Sequence, residues 1–223
     1  MNVPMRSSAI TAGISLLIMA IIAPIANFDM LAGLLNTEDA AVTLKNVLQG
    51  ESTLRMCIFL FLVVAVLDVI VAWALYVFFS QVNRELSLLA AWLRLIYTAL
   101  LLASLLFLLQ ALLLTGMSES VDMSELQWKV QLAMKSFKAG WEFGLLVFSL
   151  HLILLAYLSL KAGYMKSILG FLLLISGLGY LIDGTGRLVI DGYDMEVGMF
   201  TFFGEIVLIF WLLIQGRKEK ANS

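Results

Sequence analysis

Six stretches of this chain are almost pure hydrocarbon over about 20 residues, the length that carries an α-helix across the roughly 30 Å apolar core of a bilayer. They run from Ala9 to Phe28, Leu54 to Ser80, Leu86 to Thr115, Gly140 to Leu160, Ser167 to Asp183 and Val197 to Gln215. The expected fold is therefore all-α: an integral membrane bundle of six transmembrane helices forming one domain over residues 1–223. Composition agrees, with 62% hydrophobic and only 13% charged residues and a mean hydropathy of +1.00. Soluble domains carry roughly 25% charged residues.

The same composition excludes several function classes. A net charge of −2, with no basic stripe and no stacking aromatic array, leaves nothing to bind nucleic acid. The single cysteine, Cys57, has no disulfide partner and no Cys or His at metal-site spacing, and reads as a small apolar residue early in a spanning helix. The first apolar stretch outruns the hydrophobic region of a signal peptide and has no small-x-small cleavage site before Asp29, so it is read as a retained helix.

An even number of crossings puts both termini on one side. With the termini inside, the inner segments hold Arg6, Arg84, Lys161, Lys166, Arg217, Lys218 and Lys220, against Lys45, Arg55, Lys129, Lys135, Lys138 and Arg187 outside. The inner loops are short and basic, which favours a multi-pass N-in, C-in protein of the cell inner (cytoplasmic) membrane.

Two connections carry structure of their own. "NTEDAAVTLKNVLQG" opens on an Asn36/Thr37 cap, closes at Gly50 and spaces Ala40, Leu44, Val47 and Leu48 as one helical stripe, predicting a short interfacial helix between the first two spans. "SELQWKVQLAMKSFKAG" predicts a Ser124 cap and a Leu126, Val130, Ala133, Phe137 stripe that continues into the fourth span.

The functional information lies in the charges inside the apolar stretches. Asp68, Arg94, His151 and Glu205 fall within spanning segments, and Glu142, Asp183 and Arg187 lie nearer the outer boundary. Each central charge left unanswered costs about 2.5 to 3.5 kcal/mol. Asp68 lies twelve residues before Ser80, Arg94 ten after Arg84, His151 ten before Lys161 and Glu205 twelve before Arg217. At about 1.5 Å per residue all four fall roughly 15 to 18 Å from the inner boundary, in one slab at the midplane.

The short turn "SQVNRE" makes the second and third spans antiparallel neighbours, so equal depth lets Asp68 meet Arg94. Ser87, Ala91 and Thr98 share the arginine's face while Trp92 and Ile96 point to lipid, so the guanidinium faces protein, where a carboxylate can take it in bidentate geometry. In the fourth span Gly140, Gly144, Val147 and His151 share a face, with Glu142, Ser149 and Ala156 about 180° away. Ser176, Gly179 and Asp183 align in the fifth span, and Gly198, Thr201 and Glu205 in the sixth. Two carboxylates and one guanidinium leave the slab one positive charge short. A protonated His151, a proton on Glu205 or Asp68, or a bound cation would supply it.

"LDVIVAWALY", "LLAAWLRLIYTALL", "FGLLVFSLHLILLAYL", "SILGFLLLISGLGYLID" and "GEIVLIFWLL" together resemble the prokaryotic multi-pass membrane family known as domain of unknown function 4386, over about Met5 to Gln215. The resemblance implies a helical membrane protein of bacteria or archaea and no particular activity. Its motifs include Asp68, Arg94, His151, Asp183 and Glu205, whereas Lys135, Lys138 and the tract "DGYDMEVG" are particular to this sequence.

Three readings follow. The first is a midplane site, Arg94 paired to Asp68 with Glu205 and His151 exchanging a proton, that binds or relays a small polar or ionic ligand or a proton. Its partners are membrane lipid and that ligand, it needs no cofactor, and self-association into a homo-oligomer is compatible with it. The second is a membrane-embedded enzyme holding a metal with Asp68, His151 and Glu205, although a lone histidine is a thin ligand set. The third is a non-catalytic structural or regulatory subunit whose charges set helix register.

Overall fold

The computed structural model describes residues 5–116 and 122–218, and Lys220, counted in the charge balance, lies outside them. The chain is all-α among the described residues, with six helices long and apolar enough to cross a membrane. In chain order the elements are α1 (Met5–Leu34), α2 (Ala40–Gln49), α3 (Glu51–Phe79), α4 (Arg84–Thr115), α5 (Met123–Lys161), α6 (Ser167–Val189), α7 (Val197–Thr201) and α8 (Phe203–Lys218). The sixth span is thus two pieces, α7 and α8, parted at Phe202. It is a multi-pass membrane protein.

Two caps differ from the sequence expectation. Asp39, and not Asn36 or Thr37, caps α2, its Oδ1 accepting from the backbone N–H groups of Ala41 and Val42. Asn36 is taken up one step earlier: its Oδ1 accepts from Glu38 and Asp39 N–H, an Asx turn that sets Asp39 in place. Likewise Asp122 caps α5 ahead of Ser124, accepting from the Ser124 and Glu125 backbones and from the Ser124 hydroxyl. Those donors hold the Asp122 carboxyl below the usual carboxylate range, with the Ser124 hydroxyl as the largest cause. In both cases a carboxylate at the positive end of a helix outcompetes a neutral cap.

The described residues group into two compact units. One takes residues from 19–66 and 99–142. Its core is the helix stripe anticipated on α5, Leu126, Val130, Ala133 and Phe137, packed with Leu54, Phe61, Leu101 and Leu108. Phe61 meets Phe137 and Trp141 with ring centroids 5.1 and 5.3 Å away. Within α1, Ile25–Leu31 is wound as a π-helix directly after Pro24. Proline removes one intrahelical donor and the wider winding spreads the misfit. The buried Cys57 thiol donates to the Ala26 carbonyl in that segment at 3.3 Å.

A polar clamp closes the same unit. The Asn36 carbonyl accepts from Gln131 Nε2 and from Thr43 Oγ1, both at 2.8 Å, and Thr43 Oγ1 accepts in return from Asn36 N–H at 3.0 Å. Gln131→Leu leaves apolar volume but removes a donor, and is expected to cost about 1 to 2 kcal/mol, read as a lower unfolding midpoint in detergent.

The other unit comprises the described parts of Met1–Ile18, Leu67–Thr98 and Phe143–Ser223, and holds all four midplane residues. Here α6 is the packing hub. Gly170, Gly177 and Gly184, seven apart, bring its backbone against α5, where a Cβ on Gly177 would sit 2.9 Å from the Ile153 side chain and 3.1 Å from the Ser149 carbonyl. The stripe aligned in the sequence, Ser176, Gly179 and Asp183, turns toward α7 and α8, with Ser176 Oγ donating to the Thr201 carbonyl at 2.5 Å. Small residues permit such approach where lipid supplies no hydrophobic drive.

Candidate functional site

Residue alternation around α4 decides where the arginine goes. Ser87, Ala91, Arg94 and Thr98 are buried, whereas Trp92 is 55% and Ile96 50% exposed. The antiparallel turn after α3 is built from its own caps: Asn83 Oδ1 accepts from Leu86 N–H, and Ser87 Oγ donates to the Tyr76 carbonyl. That pairing sets Arg94 level with Asp68. Arg94 Nη2 lies 2.5 Å from Asp68 Oδ1, with the two side chains 3% and 0% exposed.

The pair is not bidentate, because the other arm of the fork is engaged elsewhere. Arg94 Nη1 lies 3.2 Å from His151 Nε2, and His151 Nδ1 lies 2.8 Å from the Ala90 carbonyl one turn back on α4. A guanidinium only donates and a carbonyl only accepts. Nδ1 therefore carries the imidazole proton and Nε2 offers its lone pair to Arg94. His151 is the neutral tautomer and cannot be the missing positive charge.

Aromatic rings complete the seat. The guanidinium carbon lies 5.3 Å from the centroid of Phe148, a cation–π distance. Phe148 in turn stacks on His151 at 5.5 Å and meets Tyr97 at 4.9 Å. Yet polar capacity is left over. Among the described residues neither Asp68 oxygen receives an aligned hydrogen bond, and Arg94 Nε donates to nothing.

Glu205 stands in the first turn of α8, half-buried, with Oε1 shielded from solvent and without a hydrogen-bond partner among the described residues. The Tyr180 hydroxyl is in hydrogen-bonding range of this carboxylate, and Arg94 and Asp68 are in electrostatic range of it. The structure thus brings Asp68, Arg94, His151 and Glu205 together in one unit.

The outer candidates go elsewhere. Asp183 is filled by the Tyr193 hydroxyl and by the backbone N–H groups of Val197 and Gly198 at 2.7 to 2.9 Å, so it anchors the start of α7. Glu142 belongs to the other unit and has Lys138, on its own helix, at 3.9 Å. Arg187 is half-buried, within electrostatic range of Tyr193.

Sequence reasoning passed over Tyr97, Phe148 and Tyr180. Helical spacing was the available signal: Tyr97 is three after Arg94, Phe148 three before His151 and Tyr180 three before Asp183. For the metal-enzyme reading the geometry provides no ligand set. No group of three or more His, Cys, Asp or Glu side chains is placed to hold a metal among the described residues, and both His151 nitrogens are engaged.

The family model described as Domain of unknown function (DUF4386) matches residues 11–216. An uncharacterised protein of Archaeoglobus fulgidus is 34% identical over 168 residues, covering 75% of this chain and 88% of that protein. No solved structure matches.

Proposed function

The chain belongs to the DUF4386 family, and on that footing we propose that it is a transporter-like or ligand-binding membrane protein whose midplane carboxylates take up one proton or small cation. One observation carries the reading: both Nη atoms of the Arg94 guanidinium are engaged, by Asp68 and by His151, while Glu205 Oε1 is buried without a hydrogen-bond partner among the described residues. With His151 neutral, two carboxylates face one fixed cation. A net charge left in such surroundings is expensive, and a proton or cation shared between Glu205 and the open lone pairs of Asp68 closes the count.

The roles follow from the contacts. Arg94 holds the Asp68 carboxyl in place, and His151, tied to Ala90, aims Arg94. Glu205 is the exchanging group, with the Tyr180 hydroxyl as its hydrogen-bonding neighbour. The exchange step that the sequence shared between Glu205 and His151 is thereby left to the carboxylates. The protein is read as a six-helix bundle acting as one domain in the cytoplasmic membrane, N-in and C-in, with lipid around it and self-association compatible with it.

Infrared spectroscopy of the reconstituted protein tests this. The carbonyl stretch of a protonated carboxylic acid is expected in wild type, and is expected to fall as pH rises or on addition of monovalent cation. It is expected to vanish in Glu205→Gln and to persist in His151→Gln. A spectrum in which neither pH nor cation alters any carboxyl band, in wild type or variant, rejects the proposal.

The close seating of the guanidinium between His151 and Phe148 also favours a second reading, a rigid latch in a structural or regulatory subunit. The two readings part on Asp68 and Arg94 replaced together by apolar residues. A latch tolerates that change with its cellular role intact, whereas a cation site loses uptake.

A further inference from the structure

A cleft of about 460 Å³ opens where α3 and α5 end, lined by Gln81, Val82, Asn83, Tyr157, Lys161, Ala162, Gly163 and Tyr164. It lies within one compact unit and apart from the midplane cluster in sequence and depth. The connections that form it, 80–83 and 162–166, immediately follow spanning helices, so the cleft sits at the level of the lipid headgroups.

Two helix C-termini would ordinarily present free carbonyls and the negative end of the helix dipole. Here the acceptors at the end of α3 are already filled. Tyr76 O accepts from Ser80 N–H and Ser87 Oγ, Val77 O from Ser80 Oγ, Phe78 O from the Tyr164 hydroxyl, and Phe79 O from Val82 N–H. Asn83 turns its Oδ1 to Leu86 N–H, which leaves its amide N–H₂ as the free end.

The charge of the lining is one-signed. Lys161 is the cation among its lining residues, standing over the Tyr157 ring at 5.8 Å, and among the described residues no Asp or Glu lines the cleft. Burial pushes the Tyr164 phenol up to about 12, so at neutral pH it stays an uncharged hydroxyl and adds no repulsion to an anion. The volume falls in the range of ligand pockets. Donors, a lysine and no competing acid suit a phosphate group.

We propose that this cleft binds a phosphate-bearing anion, through Lys161 Nζ and the Asn83 amide, of the kind presented by an anionic phospholipid headgroup at the membrane surface. The proposal is independent of the midplane reading, since it uses none of the same residues.

Native mass spectrometry of the full chain in detergent, titrated with phosphatidylglycerol, provides the test. Wild type is expected to retain the lipid, and Lys161→Gln to bind it about tenfold more weakly, the loss of one charge-assisted hydrogen bond. Asn83→Asp keeps the oxygen that caps α4 and replaces the donor by a carboxylate, so it is expected to weaken binding at least as much. Lys166→Gln, outside the lining, is expected to bind like wild type. A parallel thermal-shift series with inorganic phosphate separates the sources: protection by phosphate without lipid retention assigns the site to the free anion. Equal phosphatidylglycerol retention in all four proteins, or neither lipid retention nor phosphate protection in wild type, overturns it. Unliganded melting and size-exclusion profiles show whether a variant is folded, and Asn83→Asp decides alone if Lys161→Gln is not.

Discussion

Arg94→Leu is expected to destabilise the protein by about 3 to 5 kcal/mol, and Asp68→Leu combined with Arg94→Leu by much less. The single change leaves the Asp68 carboxylate fully buried with its counter-ion gone and His151 Nε2 without its donor. The double change removes both buried charges, so the remaining defect is one imidazole lone pair, worth about 1 to 3 kcal/mol. Denaturation in mixed micelles, followed by loss of helical circular dichroism, measures both. Because unfolded helices in a membrane mimetic also find partners, the order of the two variants is the firmer expectation. A double variant as unstable as the single one would mean that the ion pair itself, and not the avoidance of a lone charge, holds α3 to α4.

That result also bears on the two functional readings. A pair that can be replaced by apolar residues without loss of fold has to be kept for another reason, and Glu205 supplies one. Its Oε1 is buried, within electrostatic range of a guanidinium whose two arms are already taken. A latch alone has no need of a second acid at the same depth. A site that exchanges a proton or a cation has.

Much of this arrangement was legible because depth in a membrane can be counted. Each spanning segment starts from a recognisable boundary, and a rise fixed by the helix converts residue number into height. Asp68 and Arg94 meet for that reason. What the sequence could not carry was the partner of each remaining donor. The neutral state of His151 depends on the Ala90 carbonyl, a backbone group of another helix that no side-chain pattern reveals. The fork of Arg94 divides between two residues, where spacing alone suggested one. Helix ends were harder to fix: the early start of α5 was expected, but its cap is Asp122 and not Ser124, and α6 runs on past Asp183 to Val189. The break at Phe202 has no proline to announce it. Only the small residues Gly198, Thr201 and Gly204 around it hint at a weak stretch.

Those small residues lead to the second large effect. Gly204→Ala is expected to destabilise the protein by about 1 to 3 kcal/mol, and Gly204→Leu by more. A Cβ at this position would lie 2.6 Å from the carbonyl carbon of Leu172 and 2.6 Å from Ser176 Oγ. Backbone cannot step aside as a flexible side chain can, so α8 must move off α6 and strain the Ser176 to Thr201 hydrogen bond. Helix propensity works the other way, since alanine is favoured over glycine by about 1 kcal/mol in a helix interior. Gly33→Ala isolates that opposing effect, because nothing lies within 4 Å of the added methyl, and it is expected to be neutral or stabilising by about 0.5 to 1 kcal/mol. Opposite signs for the two alanine variants in one denaturation series would establish that close backbone approach holds α8 against α6. Glu205 is the next residue along, so the same displacement is expected to carry its carboxyl away from Arg94 and Asp68. Gly204→Ala should therefore alter the infrared carboxyl band assigned to Glu205 while Gly33→Ala leaves it unchanged. A band indifferent to Gly204→Ala would place the titrating carboxyl elsewhere, whatever the stability series shows.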